Sequence, residues 1–96
     1  MKFTFNITKN NIKNGKQADP ANCAIARAVK NNIKNKGLKL KRVSVLPNDI
    51  TIRYFNEKTK RNRTISADMP NSGFQFIKAF DNGYKVQPFK LELNFK

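Results

Sequence analysis

Apolar residues recur along the chain with two different periods. At the start, Phe3, Phe5 and Ile7 alternate with Lys2, Thr4, Asn6 and Thr8, the period of a strand with one buried face. At the end, Phe89, Leu91, Leu93 and Phe95 alternate with Lys90, Glu92, Asn94 and Lys96 in the same way. Between them, Ile25, Ala26, Val29 and Ile33 fall on one face of a helical wheel, and Arg27, Lys30 and Lys34 fall on another. Asp19-Pro20 predicts the start of that helix, because Asp caps and Pro at the first helical position gives up an N–H that had no partner there. Gly37 predicts its end. A second helix is expected from near Pro70, with Phe76, Ile77 and Phe80 on its apolar face and Gly83 as its left-handed cap.

Residues 38–46 read as a strand and Pro47-Asn48-Asp49 as a turn. Ile50, Ile52 and Tyr54, alternating with Thr51, Arg53 and Phe55, give the return strand of a hairpin. Residues 57–60 turn again, and residues 63–67 form a short third strand. Residues 9–18 are polar, carry an Asn14-Gly15 turn signal and read as a loop pinned by Ile12. The predicted order is β-α-β-β-β-α-β over one domain, residues 1–96. This is an α+β two-layer sandwich, with a mainly antiparallel sheet and both helices on one face. The expected core is Phe3, Phe5, Ile7, Ile25, Val29, Ile33, Phe76, Ile77, Phe80, Phe89, Leu91 and Leu93.

Charge changes the picture most. Twenty Lys and Arg face six acids, a formal net charge of +14. So large an excess repels itself and favours a polyanionic partner. Drift in an AT-rich genome also raises Lys, Asn, Ile and Phe, but it tolerates Glu, and only Glu57 and Glu92 are present. Residues 1–46 carry eleven basic groups against Asp19 alone, whereas residues 68–96 are nearly balanced. The binding face is therefore expected in the first two-thirds of the chain. Cys23 is the only cysteine, so no intramolecular disulfide can form, and a reducing compartment is expected. The opening residues lack the apolar run of a signal peptide, and no stretch is long and apolar enough to span a membrane.

Two blocks carry a resemblance. The first is Asp19-Pro20-Ala21-Asn22-Cys23-Ala24-Ile25-Ala26-Arg27-Ala28. The second is Met69-Pro70 followed by Phe76-Ile77-Lys78-Ala79-Phe80-Asp81-Asn82-Gly83-Tyr84-Lys85-Val86-Gln87-Pro88-Phe89. In order and spacing the chain resembles a set of small, mostly uncharacterised proteins of bacteriophages and prophages. Ala24 stands where members usually have Pro, and Asn71 and Ser72 stand where they often have acids. The resemblance implies a phage or prophage origin and an α+β fold, and it implies no activity.

The chemistry for catalysis is sparse. There is no histidine, the commonest general base and metal ligand. The acids sit mostly at predicted turns and caps, Gly15, Gly37, Gly73 and Gly83 form no phosphate-binding loop, and no metal site or cofactor is expected. Cys23 is the one candidate nucleophile, poised at a helix start near Arg27 but without an activating base. A packed structural thiol is the plainer reading. Basic residues offer more. Arg27, Lys30 and Lys34 form a helix stripe, continued by Lys36, Lys39 and Lys41. Lys58, Lys60, Arg61 and Arg63 crowd the expected hairpin tip, and Lys9, Lys13 and Lys16 line the first loop. Tyr54 and Phe55 point to opposite faces of their strand, so one of them can face solvent.

These features predict a non-enzymatic basic module that contacts nucleic-acid phosphates with low sequence specificity. The nucleic-acid contacts are expected from Lys58, Lys60, Arg61, Arg63, Arg27, Lys30, Lys34, Lys39 and Lys41. Two other readings use the same cations. One is an accessory virion protein docked on an acidic capsid surface. The other is a counter-defence inhibitor covering a host nucleic-acid-binding protein. The expected location is the host cytoplasm or the virion, with no membrane and no small-molecule substrate.

Overall fold

The computed structural model describes residues 2–95; Met1 and Lys96, at the ends of the two alternating segments, lie outside them. The elements are β1 (Lys2–Ile7), α1 (Lys9–Asn14), α2 (Ala24–Asn35), β2 (Lys39–Val45), β3 (Asp49–Asn56), β4 (Arg61–Asp68), α3 (Asn71–Asp81) and β5 (Phe89–Asn94). The chain is α+β, and its strands and two longer helices follow the expected order.

The strands form two antiparallel sheets instead of the single sheet expected. One is β1-β5 and the other β2-β3-β4. Alternation says which side of a strand is buried; it does not say which strand lies beside it. The chain ends satisfy each other, with Phe3 opposite Leu93, Phe5 opposite Leu91 and Ile7 opposite Phe89. Helix α2 packs against both β1 and β2, so it joins the two sheets. Its Ile25, Val29 and Ile33 are fully buried, as are Phe5, Ile7, Ile50, Ile52, Leu91 and Leu93. Burial of each such side chain contributes roughly 1.5–3 kcal/mol. Phe76, Ile77 and Phe80 of α3 complete the expected core, with Phe76 in contact with Phe89 at 4.8 Å between ring centroids. Phe3 and Phe89 are only half-buried, at the margin of the core, while Phe95 is buried.

Residues 9–18 are not all loop. Lys9–Asn14 form α1, started by a reciprocal cap: Thr8 Oγ1 accepts from the Asn11 N–H at 3.2 Å, and Asn11 Oδ1 accepts from the Thr8 N–H at 3.0 Å. A helix made by capping carries no apolar period. Ile12 is half-buried against the core. Gly15 follows, and a Cβ there would fall 2.6 Å from the Ala24 nitrogen, so only glycine lets the chain pass this close to the start of α2.

Helix α2 begins at Ala24, with Cys23 as its N-cap residue, not at Asp19-Pro20. Asp19 does cap, but it caps the turn before the helix. Its carboxylate accepts from the Ala21 N–H at 3.0 Å and from Asn22 Nδ2 at 3.2 Å. The Asn22 and Ala21 bonds hold the Asp19 carboxyl below its ordinary value. The Pro20 carbonyl accepts from the Val45 N–H at 2.9 Å, which ties this turn to the edge of β2. The helix ends follow the glycine signals. Gly37 and Gly83 have φ of +75° and +78°, and each sits in a paired 6→1 and 5→2 hydrogen-bond motif, Leu38 N–H to Ile33 O with Gly37 N–H to Lys34 O, and Tyr84 N–H to Ala79 O with Gly83 N–H to Phe80 O.

The two blocks of the resemblance meet in space. Just before the first block, Gln17 Nε2 donates to the Phe80 carbonyl at 3.0 Å, and the Ala18 N–H donates to Asp81 Oδ1 at 2.9 Å. Asp19, Pro20, Cys23 and Ile25 line a narrow depression together with Phe76, Ile77, Phe80 and Asp81. No helix among the described residues is long and apolar enough to cross a membrane.

Candidate nucleic-acid interface

Strand pleating decides which basic side chains meet. Ile50, Ile52 and Tyr54 of β3 are buried, so Thr51, Arg53 and Phe55 face outward. Register then assembles rows across the outer face of the three-stranded sheet. Ser44, Thr51 and Ser66 form one row, Arg42, Arg53 and Thr64 the next, and Lys39, Phe55 and Asn62 a third. The ladder is irregular between Leu40 and Arg42. This keeps Leu40 and Val43 on the inner side and turns Lys41 outward, where its Nζ lies 6.0 Å from the centre of the Phe55 ring. Arg42, Arg53 and Lys41 are exposed, and Phe55 is half-buried. Asp49 and Asp68 occupy the far end of the same face.

Arg42 and Arg53 are directly opposed across two strands, an arrangement that costs stability when nothing neutralises it. Among the described residues neither is paired with an acid. Sequence reasoning missed both because it weighed cations clustered along the chain, whereas register makes these two neighbours. The outward position of Arg53 was legible in its alternation with Ile52 and Tyr54.

The expected residues divide among several surfaces. Lys30, Lys34, Lys39 and Lys41 line a groove of about 870 Å³ between α2 and the edge of β2, together with Arg42, Leu38, Leu40 and Val43. Lys30 Nζ donates to Asn22 Oδ1 at 3.1 Å, and Lys39 meets Glu57 at 3.5 Å in an exposed ion pair that contributes little. Lys41 and Arg42 also border a shallow depression on the sheet face with Arg53 and Asn62. Asn62 in turn borders a third depression, with Arg61, Arg63, Asn56 and Thr59. The groove and the sheet-face depression share Lys41 and Arg42, so they form one basic track from α2, over the edge of β2, to Arg53 of β3. Arg61 and Arg63 alternate with Asn62, fall on the side of Ile65 and Ala67, and lie off this face.

Three expectations need correction. Arg61 and Arg63 are not at the hairpin tip, because β4 spans Arg61–Asp68 and pairs them with Asn56 and Tyr54. Only Lys58 and Lys60 lie in the turn, and Lys60 adopts a left-handed φ of +58°. Arg27 does not join Lys34 in the groove. It borders a separate dent with Asn10, Asn11, Asn14, Lys30 and Asn31, and its Nε is buried without a partner among the described residues. Lys9 and Lys13 lie on α1 and not along a loop, Lys16 lies in the loop that follows it, and none of the three lines these depressions.

Cys23 is a buried free thiol. Burial pushes it above its ordinary value, and the N–H groups of Ala26 and Ile25 offset this only in part. The thiol is therefore held protonated at neutral pH, opposite to what an activated nucleophile needs. No protein-family model, curated protein or solved structure matches this chain.

Proposed function

We propose that this chain is a non-enzymatic nucleic-acid-binding module that grips phosphates along the basic track with low sequence specificity. The observation that carries this reading is the continuity of Lys34, Lys41, Arg42 and Arg53 from the groove onto the outer sheet face, with two arginines opposed across strands. Uncompensated cations held side by side lose their mutual repulsion when a polyanion lies over them. The arginines add planar forks that match phosphate oxygens. Base-edge readout is not part of the proposal, because α1 has six residues and Lys30 and Lys34 of α2 line the groove at the edge of β2. The implied phage origin fits such a module acting in an infected cell.

The test is affinity as a function of salt. Each phosphate contact should steepen the fall of log affinity with log salt by roughly 0.7–0.9. Replacing Lys41, Arg42 and Arg53 together with Ser should make that slope shallower by about two to three contacts. Replacing Arg27, Lys9 and Lys13 with Ser removes the same charge off the track and should change it less. Equal effects from both triple variants would mean charge alone is read and no track exists. No affinity for any nucleic acid at ~50 mM salt would reject the proposal and turn the same cations toward an acidic capsid or host protein surface.

A further inference from the structure

We infer that the occupant of the sheet face is single-stranded nucleic acid, with a base stacked on Phe55 and the flanking phosphates on Lys41, Arg42 and Arg53. This rests on the nucleic-acid reading and narrows it.

Three observations favour a single strand over a duplex. First, the cations surround an aromatic ring. Phe55 is the only aromatic residue in the three outward rows, half-buried between Lys39 and Asn62, with Lys41 at its ring. A duplex keeps its bases stacked inside and gains nothing from such a ring. An unstacked base gains a partner, and the stacking is tolerant of sequence. Tyr54, its neighbour in the chain, is buried, so Phe55 is the ring the sheet leaves available. Second, the surface is a broad pleated sheet. The outer face spans three strands, about 10 Å, without a projecting helix to enter a groove. Third, the acids limit the footprint. Asp49 and Asp68 lie on the same face four residues from Arg53 and Thr64, about 13 Å along the strands. A duplex groove about 12 Å wide has a phosphate chain on each side, and one of them would fall near these carboxylates. A single strand crossing at the arginine row avoids them.

The outward rows also hold Ser44, Thr51, Thr64, Ser66 and Asn62, whose hydroxyl and amide groups can meet base edges in any sequence. No group there demands a 2′-hydroxyl, so DNA and RNA strands should bind alike.

The experiment measures binding of fluorescent 12-nucleotide probes at ~50 mM salt: oligo-dT, oligo-U, an abasic strand and a duplex with equal phosphate number. Oligo-dT and oligo-U should bind within a few-fold of each other, and roughly tenfold tighter than the abasic strand or the duplex. Phe55→Leu, which keeps apolar cover without a stacking face, should lower oligo-dT affinity about tenfold, leave the salt slope unchanged and leave abasic binding unaffected. Phe55→Trp should restore the preference. The inference is overturned if the duplex or the abasic strand binds as tightly as oligo-dT, if Phe55→Leu binds like the wild type, or if either sugar is preferred more than tenfold. Duplex binding with a steep salt slope and no preference for single strands would overturn this inference alone. Absence of binding to every probe would overturn the parent reading with it.

Discussion

The joint between the two resemblance blocks and the outer face of the three-stranded sheet are built on opposite terms. At the joint, Phe76, Phe80, Cys23 and Ile25 are buried, and the polar groups of Gln17, Ala18 and Asp81 are paired at 2.9–3.0 Å. On the sheet face, Arg42, Arg53 and Lys41 are exposed and, among the described residues, uncompensated by acids. The first region gains stability from satisfied contacts. The second holds like charges together at a cost. A protein under selection for stability alone would keep the first and dilute the second, so the sheet face is where a partner is expected to contribute.

Damage to the joint should have the largest effect on stability and none on binding. Phe80→Ala removes a ring that is 7% exposed and stacked on Phe76 at 5.8 Å, and should cost on the order of 3–5 kcal/mol of unfolding free energy. Denaturant unfolding measures it. In the fraction still folded, the salt slope for nucleic-acid binding should match the wild type. A folded Phe80→Ala protein with a shallower slope would show that the joint takes part in binding.

Cys23 gives a smaller test of the same region. Because burial raises the thiol's folded value, the folded state keeps its proton where the unfolded chain has lost it. The stability this contributes is fully present below the unfolded value and is lost as pH rises through the folded one. Between neutral and strongly alkaline pH, wild-type stability should therefore fall more steeply than that of Cys23→Ala, with the lysines and tyrosines cancelling in the difference. Parallel curves would mean that the thiol is not shielded in solution. Nucleic-acid affinity of Cys23→Ala near neutral pH should equal the wild type's.

Much of the joint was legible in the sequence, and little of the sheet face was. The helical period of Ile25, Val29 and Ile33 and the glycine stops at Gly37 and Gly83 are local signals, and they placed α3 and the end of α2 to within a few residues. The capped helix α1 escaped because Thr8 and Asn11 act through hydrogen bonds, not burial. The start of α2 escaped because Asp19 serves a turn with the same chemistry that serves a helix. The basic track escaped for a different reason. Lys39 and Lys41 were visible as a stripe, but the pairing of Arg42 with Arg53 depends on register and on the irregularity at Lys41, neither of which is written in a single strand.

That pairing permits the smallest and most direct test. Arg42→Thr places a β-branched residue opposite Arg53 and removes the like-charge repulsion, without touching the inner face. The free protein should gain roughly 0.2–1 kcal/mol in stability at low salt. The gain should shrink as salt rises, because at 1 M the screening length of about 3 Å is shorter than the distance between paired strands. Nucleic-acid affinity should move the other way, with the salt slope shallower by about one contact. Thermal unfolding across a salt series, run beside binding measurements on the same samples, reads both quantities. Opposite signs for stability and binding are the signature of a residue kept for its partner. A loss of stability in Arg42→Thr at every salt concentration would instead make Arg42 part of the scaffold, and the contrast between the two regions would fail at its central pair.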